Sequence, residues 1–259
     1  MNNFPNPKLL FGNDEHQSIL IEYDNEIKLI RNFINAAESC ILNKKENDIL
    51  SHNGICYSFA KSIINYSKMA FDNFVLGHFN ATGMITRALL ENYIFLNIIY
   101  NHEKEELWKY YLIQSYKQSI KKSKVSNWKD FNQLCKDLKI DKEFSMKQNN
   151  QKYSYINLKY GWTYKINKYK SFYFTDLCNI VNPKEYIDYA DMSEYSHGTD
   201  YFLKINSLLS TNAHTENFIS FLYTILLKTV SFYCPEFLDD TFNKYDDALF
   251  SFFMNKENH

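Results

Sequence analysis

The sequence predicts an all-α protein, a bundle of about eight or nine helices with a basic, aromatic loop or insertion in its middle. Apolar residues recur at helical spacing through most of the chain. Glycine and proline are scarce, with 6 and 4 among 259 residues, and these residues interrupt helices and strands. A β-sandwich of this length needs many more turn residues.

The N-terminal half predicts five helices. The first covers residues 17–45 after an irregular arm, and the second covers residues 55–79 after a polar break. A third, over residues 82–100, is apolar nearly all round, which predicts a central position in the bundle. The fourth, over residues 104–123, opens with acids and ends in lysines, as the helix dipole favours. A short fifth helix is predicted over residues 127–139.

The C-terminal half is less regular at its start. Residues 141–171 are polar, aromatic and poorly periodic, which predicts a long loop or insertion with short helical pieces. Pro183 suits the first position of a helix and Gly198 its end. The last helices are predicted over residues 215–233 and 239–255.

These elements predict one helical domain over residues 1–259, because no repeat and no clean linker divides the chain. Bundle helices occupy residues 17–140, the basic and aromatic insertion occupies residues 141–181, and further helices over residues 182–259 complete the bundle.

Composition predicts a cytoplasmic protein without a cofactor. Five cysteines are widely spread with no CxxC pair, as in reduced cytosolic proteins. The N-terminus lacks a charged region followed by an apolar run, so no signal peptide is expected. The most apolar stretch, residues 218–234, contains Lys228 and falls short of the ~20 residues of a membrane span. It predicts a buried helix and no membrane contact.

Arg87 is one of only two arginines and lies in the most apolar predicted helix. Glu91 follows four residues later, so both side chains project from one face. A buried charge is costly unless it is paired, and one interpretation is an internal ion pair that ties helices together. The other is a guanidinium that Glu91 holds for binding phosphate or carboxylate.

Tyr189, Ser193 and His197 line one helical face at i, i+4 and i+8. His197 precedes Gly198, so it either caps the helix and gains from the dipole or acts as a general acid or base. Glu194 and His197 match half of a di-iron signature, but a second such motif is missing. The other histidines show no zinc spacing with the cysteines, so no metal is expected.

Residues 109–170 carry fifteen lysines and four acids, a balance of +11 that leaves −12 for the rest of the chain. Lysines interleaved with aromatic rings are typical of single-stranded nucleic-acid surfaces. The alternative is a solvated loop docked on the acidic remainder of the chain. The predicted RNA-binding residues are Lys121, Lys122, Lys124, Trp162, Tyr164 and Lys165.

Two of these motifs resemble a widespread bacterial helical family of unknown function. Arg87-Ala-Leu-Leu-Glu91 matches its R-x-L-L-E helix, and Tyr189 to His197 matches its Y-x-x-x-S-x-x-x-H motif. Trp162 fits a frequent aromatic position of that family. The resemblance covers roughly residues 55–200.

More distantly, the chain is similar to HEPN domains, helical bundles often found in toxins and phage-defence proteins. Many of these cut RNA without metal, with an R-x4-6-H motif acting across a dimer, so the resemblance implies a homodimer. Here Asn92 stands five residues after Arg87 instead of histidine. His197 from another helix would then replace the missing histidine.

The first functional hypothesis is a metal-independent RNase of a toxin or phage-defence (abortive infection) system. RNA cleavage without metal needs an acid, a base and a cation for the phosphorane charge. His197 would be the acid and base, Arg87 the cation, and Glu91 would orient Arg87. The supporting residues would be Tyr189, Ser193 and Asn92.

The second hypothesis is a non-catalytic helical binding or regulatory module in a defence or signalling complex, with a partner protein that the sequence does not specify. Arg87 and Glu91 are then a core ion pair, and residues 109–170 form a docking surface. Both hypotheses stay open, because a fold alone implies no activity.

Overall fold

The computed structural model describes residues 20–46, 48, 50–123, 128–146, 153–167, 172–182 and 212–256, together with Ser18. These residues form α-helices and short 3₁₀ turns, with no strand among them. The predicted all-α, multi-helix fold is confirmed. Within the same residues, no helix combines the length and apolarity that a bilayer crossing requires.

Nine α-helices have both ends within the described part of the chain, and residues 18 and 20–22 are also helical. They are α1 (Asp24–Asn43), α2 (His52–Val75), α3 (Phe79–Asn101), α4 (Leu107–Ser123), α5 (Trp128–Asp137), α6 (Lys142–Ser145), α7 (Phe174–Val181), α8 (Asn212–Tyr233) and α9 (Asp240–Lys256). The 3₁₀ turns cover Glu103–Glu105, Tyr155–Asn157, Gly161–Thr163 and Pro235–Phe237.

The chain divides into two compact units. The first contains Met1–Glu46, Tyr57–Tyr93 and Asp188–His259, and the second contains Asn47–Cys56 and Ile94–Ile187. The boundaries between them fall within α2 and within α3.

In the first unit, α1 packs against α8 and α9. Its apolar residues recur every three to four positions, which gives the helix one buried face. Phe33 lies on this face, with its ring centroid 5.3 Å from that of Tyr223 and 4.8 Å from that of Phe242. Burial of one such side chain stabilises the fold by roughly 1.5–3 kcal/mol.

In the second unit, Phe95 is the centre of an aromatic cluster. Its ring contacts those of Tyr111, Trp162 and Phe174 at centroid distances of 6.0, 5.6 and 6.3 Å. The segment that supplies Trp162 has little regular structure, so its backbone needs other partners. Gln114 of α4 provides them, because its side chain accepts from the Trp162 N–H at 3.2 Å and donates to the Leu158 carbonyl.

Helix α2 begins and ends at recognisable caps. Ser51 accepts the backbone N–H of Gly54 at 3.0 Å, so the helix starts at residue 52, earlier than expected. At the other end, Gly77 adopts a left-handed φ of 74°. Gly77 donates to the Phe74 carbonyl, and His78 donates to the Asn73 carbonyl, which is a Schellman motif. Helix α2 therefore ends before residue 79, where the next helix already begins.

Two further helix boundaries differ from the sequence prediction. Glu106 has a left-handed φ of 52°, which separates the 3₁₀ turn at Glu103–Glu105 from α4. Helix α7 lies inside the segment predicted as an insertion. It is stabilised at its start by the Asp176 carboxylate, which accepts the Tyr173 N–H at 3.2 Å. The predicted helix from Pro183 to Gly198 lies outside the described residues.

Candidate functional site

Arg87 and Glu91 form an ion pair on α3, with 3.5 Å between Nε and Oε1. The helical spacing of four residues brings them together. Their side chains remain 22% and 29% exposed, so the pair lies at the edge of the core and not in a dry interior. A guanidinium in this setting keeps contact with solvent while a carboxylate fixes its direction.

Thr86 and Asn92, which flank this pair in the sequence, are hydrogen-bonded to the backbone of α3. Thr86 is buried and its hydroxyl donates to the Thr82 carbonyl at 3.0 Å. Asn92, predicted as a supporting residue, donates its side-chain amide to the Ala88 carbonyl at 2.7 Å. This bond holds the amide of Asn92 against its own helix.

Several predicted site residues lie outside the described part of the chain. These are the acid and base candidate His197, its supporting residues Tyr189 and Ser193, and Lys124. Among the described residues, no group of three or more His, Cys, Asp or Glu side chains is placed to hold a metal ion.

Trp162 was predicted to contact RNA, but the structure buries it to 2% exposure. Its indole meets the rings of Phe95 and Tyr111 edge-on, each at 5.6 Å. A base needs an open ring face for stacking, and this indole has none. Trp162 is therefore a core residue of the second unit, and the RNA contact predicted for it does not suit its position.

Tyr164 and Lys165 belong to a polar cluster around Asp141. The hydroxyls of Tyr110 and Tyr164 both donate to Asp141 Oδ2, at 2.6 and 2.7 Å. The Lys165 ammonium lies 3.1 Å from the same oxygen and 4.7 Å from the centroid of the Tyr110 ring. Lys165 is thus already paired with a carboxylate of the protein.

The hydrogen bonds of this cluster shift its pKa values. The hydroxyls of Tyr110 and Tyr164, followed by Lys165, lower the pKa of Asp141 to about 2. Burial, and then the bond to Asp141, raises the pKa of Tyr164 above its usual range. Burial opposes the charged form of Lys165, but Tyr110 and Asp141 outweigh it and raise its pKa. The cluster holds a stable carboxylate and a stable ammonium, which suits anchoring better than proton transfer.

The other predicted lysines occupy the end of α4. Lys121 and Lys122 are exposed in its last turn. Lys117, one turn earlier, donates to Asn157 Oδ1 at 2.8 Å, which is a neutral acceptor. Burial, and then the charge of Lys121, lowers the pKa of Lys117. Lys117 and Lys121 therefore repel each other on a helix that contains no acidic residue.

Trp128 is one of the rings interleaved with the lysines but was not among the predicted RNA-binding residues, and its indole is 43% exposed shortly after this lysine group in the chain. Phe131 meets it edge-on at 5.6 Å, and Phe131 in turn stacks on Tyr116 of α4 at 6.3 Å. The available signal was its place in the first turn of a short helix, next to Lys129. A short helix leaves its terminal residues beyond the edge of the core.

Cys56 and His52 form a second group with the residue types of a nucleophilic site. The Cys56 sulfur lies 3.7 Å from His52 Nε2, and His52 Nδ1 lies 3.7 Å from Glu103 Oε1. However, Nε2 is 3.1 Å from the Ile99 carbonyl, which only accepts hydrogen bonds. Nε2 then carries a proton and does not act as a base toward Cys56. Cys56 is also fully buried, so this group is structural.

One comparison with known proteins gave a match. The model of a family described as a family of unknown function (DUF5677) matches residues 52–217. No curated protein and no solved structure matches the chain significantly. The matched range contains Arg87, Glu91 and the predicted His197 face.

Proposed function

We propose that this chain, which belongs to the DUF5677 family of unknown function, is a HEPN-like, metal-independent endoribonuclease. The chain's own residues support this proposal. The protein would act in the cytoplasm, as a homodimer, in a toxin or phage-defence system. The free state of all five cysteines agrees with a reducing compartment. Arg87, Glu91 and His197 carry the proposed chemistry.

The observation that supports this proposal is the position of Arg87. It is one of two arginines in the chain, it is held by Glu91, and it keeps contact with solvent. A guanidinium carries five N–H donors, and Glu91 contacts the group on its Nε side. An arginine guanidinium favours a bidentate geometry with phosphate oxygens.

The proposed reaction is a transfer of the phosphodiester to the neighbouring 2′-oxygen. His197 takes the proton of the 2′-hydroxyl, the 2′-oxygen attacks phosphorus, and the bond to the 5′-oxygen breaks. The imidazolium of His197 then gives a proton to the departing 5′-oxygen. Arg87 stabilises the charge on the non-bridging oxygens. The products are a 2′,3′-cyclic phosphate and a 5′-hydroxyl end.

The test is cleavage of end-labelled single-stranded RNA by the purified protein in excess EDTA. The wild type should cleave, and Arg87→Gln and His197→Ala should each lose activity on the order of 10²–10³-fold, as when a transition-state donor is removed. Lys109→Gln is a matched control, since Lys109 pairs with Glu106 and has no role in the reaction. Intact RNA with the wild type, or full activity of folded Arg87→Gln, would refute the proposal.

The second candidate is the non-catalytic binding module. It is favoured by one observation, that Arg87 and Glu91 pair with each other within a single helix. In that case the pair only orders α3, and the double variant Arg87→Met with Glu91→Leu should keep or raise the thermal midpoint, as replacement of both members of an ion pair can. Absent RNA cleavage together with a stable double variant would favour this module.

A further inference from the structure

The end of α4 carries positive charge that α4 itself does not neutralise. The helix contains four lysines and no acidic residue. Lys109 is paired with Glu106 at the start of the helix. The other three, Lys117, Lys121 and Lys122, occupy its last two turns, where the helix dipole offsets only part of their repulsion. A cluster of this kind attracts an anion that can contact several ammonium groups at once.

Lys117 is the best-fixed member of this cluster. Its ammonium donates to Asn157 Oδ1 at 2.8 Å, and Asn157 donates in turn to Ser154. The side chain is thus held by a neutral amide. Burial, and then the charge of Lys121, lowers the pKa of Lys117, and a bound phosphate would relieve the repulsion from Lys121.

The first turn of α5 adds an aromatic surface. Trp128 is held at its edge by Phe131, with an angle of 82° between the two rings. Phe131 is itself buried and stacked on Tyr116, the neighbour of Lys117. A ring fixed in this way and still 43% exposed loses little freedom when a flat partner stacks on it.

We propose that the last two turns of α4 and the first turn of α5 bind single-stranded RNA. Lys117, Lys121 and Lys122 contact its phosphates, and Trp128 stacks on an unpaired base. The choice of RNA rests on the proposed function, but binding at this surface requires no cleavage. Trp162, Tyr164 and Lys165 are not part of it, because they belong to the core and to the Asp141 cluster.

The combination of lysines with an exposed tryptophan favours single-stranded RNA over a duplex or an acidic peptide. A duplex keeps its bases stacked inside, so it offers an indole no base face. An acidic peptide would use the lysines but would gain little from Trp128. A single strand uses both, because phosphates and base faces alternate along its length.

The test is fluorescence anisotropy with a short labelled oligouridylate, in an Arg87→Gln background so that cleavage cannot remove the probe. Lys121→Gln should weaken binding. It should also make the plot of the logarithm of the binding constant against the logarithm of the salt concentration less steep by about 0.7, which is the contribution of one phosphate contact on a single strand. Trp128→Leu should weaken binding roughly 5- to 150-fold with the slope unchanged. Circular dichroism melting confirms that each variant is folded.

Two matched controls isolate the surface. Lys109→Gln removes the same charge from the same helix, but at a lysine that is already paired. Phe250→Leu removes an exposed ring, 57% accessible, from α9 in the first unit. Both should leave the affinity and the salt slope unchanged.

The outcomes separate this inference from the proposed function. If the oligouridylate binds as expected but the wild type leaves RNA intact, the nuclease proposal fails and the surface stands. If the wild type cleaves RNA while Lys121→Gln and Trp128→Leu bind like the parent, the surface is wrong. Equal binding of a polyglutamate peptide or an RNA duplex, with no effect of Trp128→Leu, would also overturn it.

Discussion

The hydroxyl of Tyr110 donates to the carboxylate of Asp141 over 2.6 Å, and so joins α4 to the residue that precedes α6. The two residues are 31 positions apart in the chain. Tyr164 and Lys165 complete the cluster from the segment that follows α6. One carboxylate therefore fixes three parts of the second unit, which makes it a good point for mutation.

Replacement of Asp141 by Asn should lower the thermal midpoint at neutral pH, because it removes the charged acceptor of these hydrogen bonds. The folded-state pKa of about 2 lies below the ordinary 3.8. The stabilisation is therefore present above the unfolded pKa and is lost as pH falls toward 2. Asp141 is 46% exposed, so solvent screening reduces the effect. Thermal melts from pH 6 to 2 measure it.

The control for this prediction is Asp130→Asn, which removes the same charge from an exposed position on α5. The difference in midpoint between wild type and Asp141→Asn should shrink at low pH, whereas the Asp130→Asn difference should stay small throughout. If the difference in thermal midpoint between wild type and Asp141→Asn stayed constant over the pH values tested, the role assigned to the Asp141 carboxylate would be contradicted.

Gly161→Ala should destabilise the second unit. A Cβ at this position would lie 1.8 Å from the Tyr155 carbonyl oxygen, so the backbone must move. Overpacking of this kind costs roughly 1–3 kcal/mol or more. Urea unfolding measures the loss, with Ser119→Ala on the exposed face of α4 as the control. An unchanged midpoint in urea would mean that the two segments do not approach this closely.

Gly77→Ala should destabilise the end of α2 by about 1–2 kcal/mol, because an L-residue in the left-handed region carries that cost. The φ of 74° at Gly77 is required by the Schellman motif. Gly77→Asn should cost less, since asparagine tolerates this conformation better. Chemical denaturation of the two variants gives the comparison, and equal stability of Ala and Asn would argue against the assigned cap.

The thiols of Cys40 and Cys234 should resist alkylation in the native state. Burial, followed by neighbouring negative charge, raises the pKa of Cys40 to about 11 and that of Cys234 to about 12. The thiolate is the reactive form. Mass spectrometry after iodoacetamide treatment at neutral pH should find both unmodified, and both labelled once urea unfolds the protein. Fast native labelling of Cys40 would contradict the packing of α1 against Pro235–Phe237.

The long helices were the most predictable part of the fold. The spacing of apolar residues located α1, α3 and α8 closely, because a helix with a continuous apolar face depends mainly on local pattern. The membership of a helical family of unknown function was also anticipated from two short motifs. By contrast, the second predicted helix ran past Gly77, because the apolar pattern continues beyond the residue at which the backbone turns.

The candidate site was predictable only in part. The Arg87–Glu91 pair follows from helical spacing and is present. The roles of Trp162 and Trp128 were not predictable, since both are tryptophans in one lysine-rich segment. What separates them is contact with residues far away in sequence, such as Phe95 for Trp162. Likewise, nothing local indicates that Asp141 neutralises Lys165, because the two are joined only by the fold.

The side chain of Gln114 has a consequence for the order in which the second unit assembles. It serves as hydrogen-bond partner to backbone groups 44 and 48 residues further along the chain. During synthesis α4 leaves the ribosome well before those residues, so the segment around Trp162 emerges after the side chain that it binds. The reverse order would leave that backbone without its acceptor and donor. Vectorial synthesis thus suits this topology, because the side chain of Gln114 is made before the backbone groups that it binds.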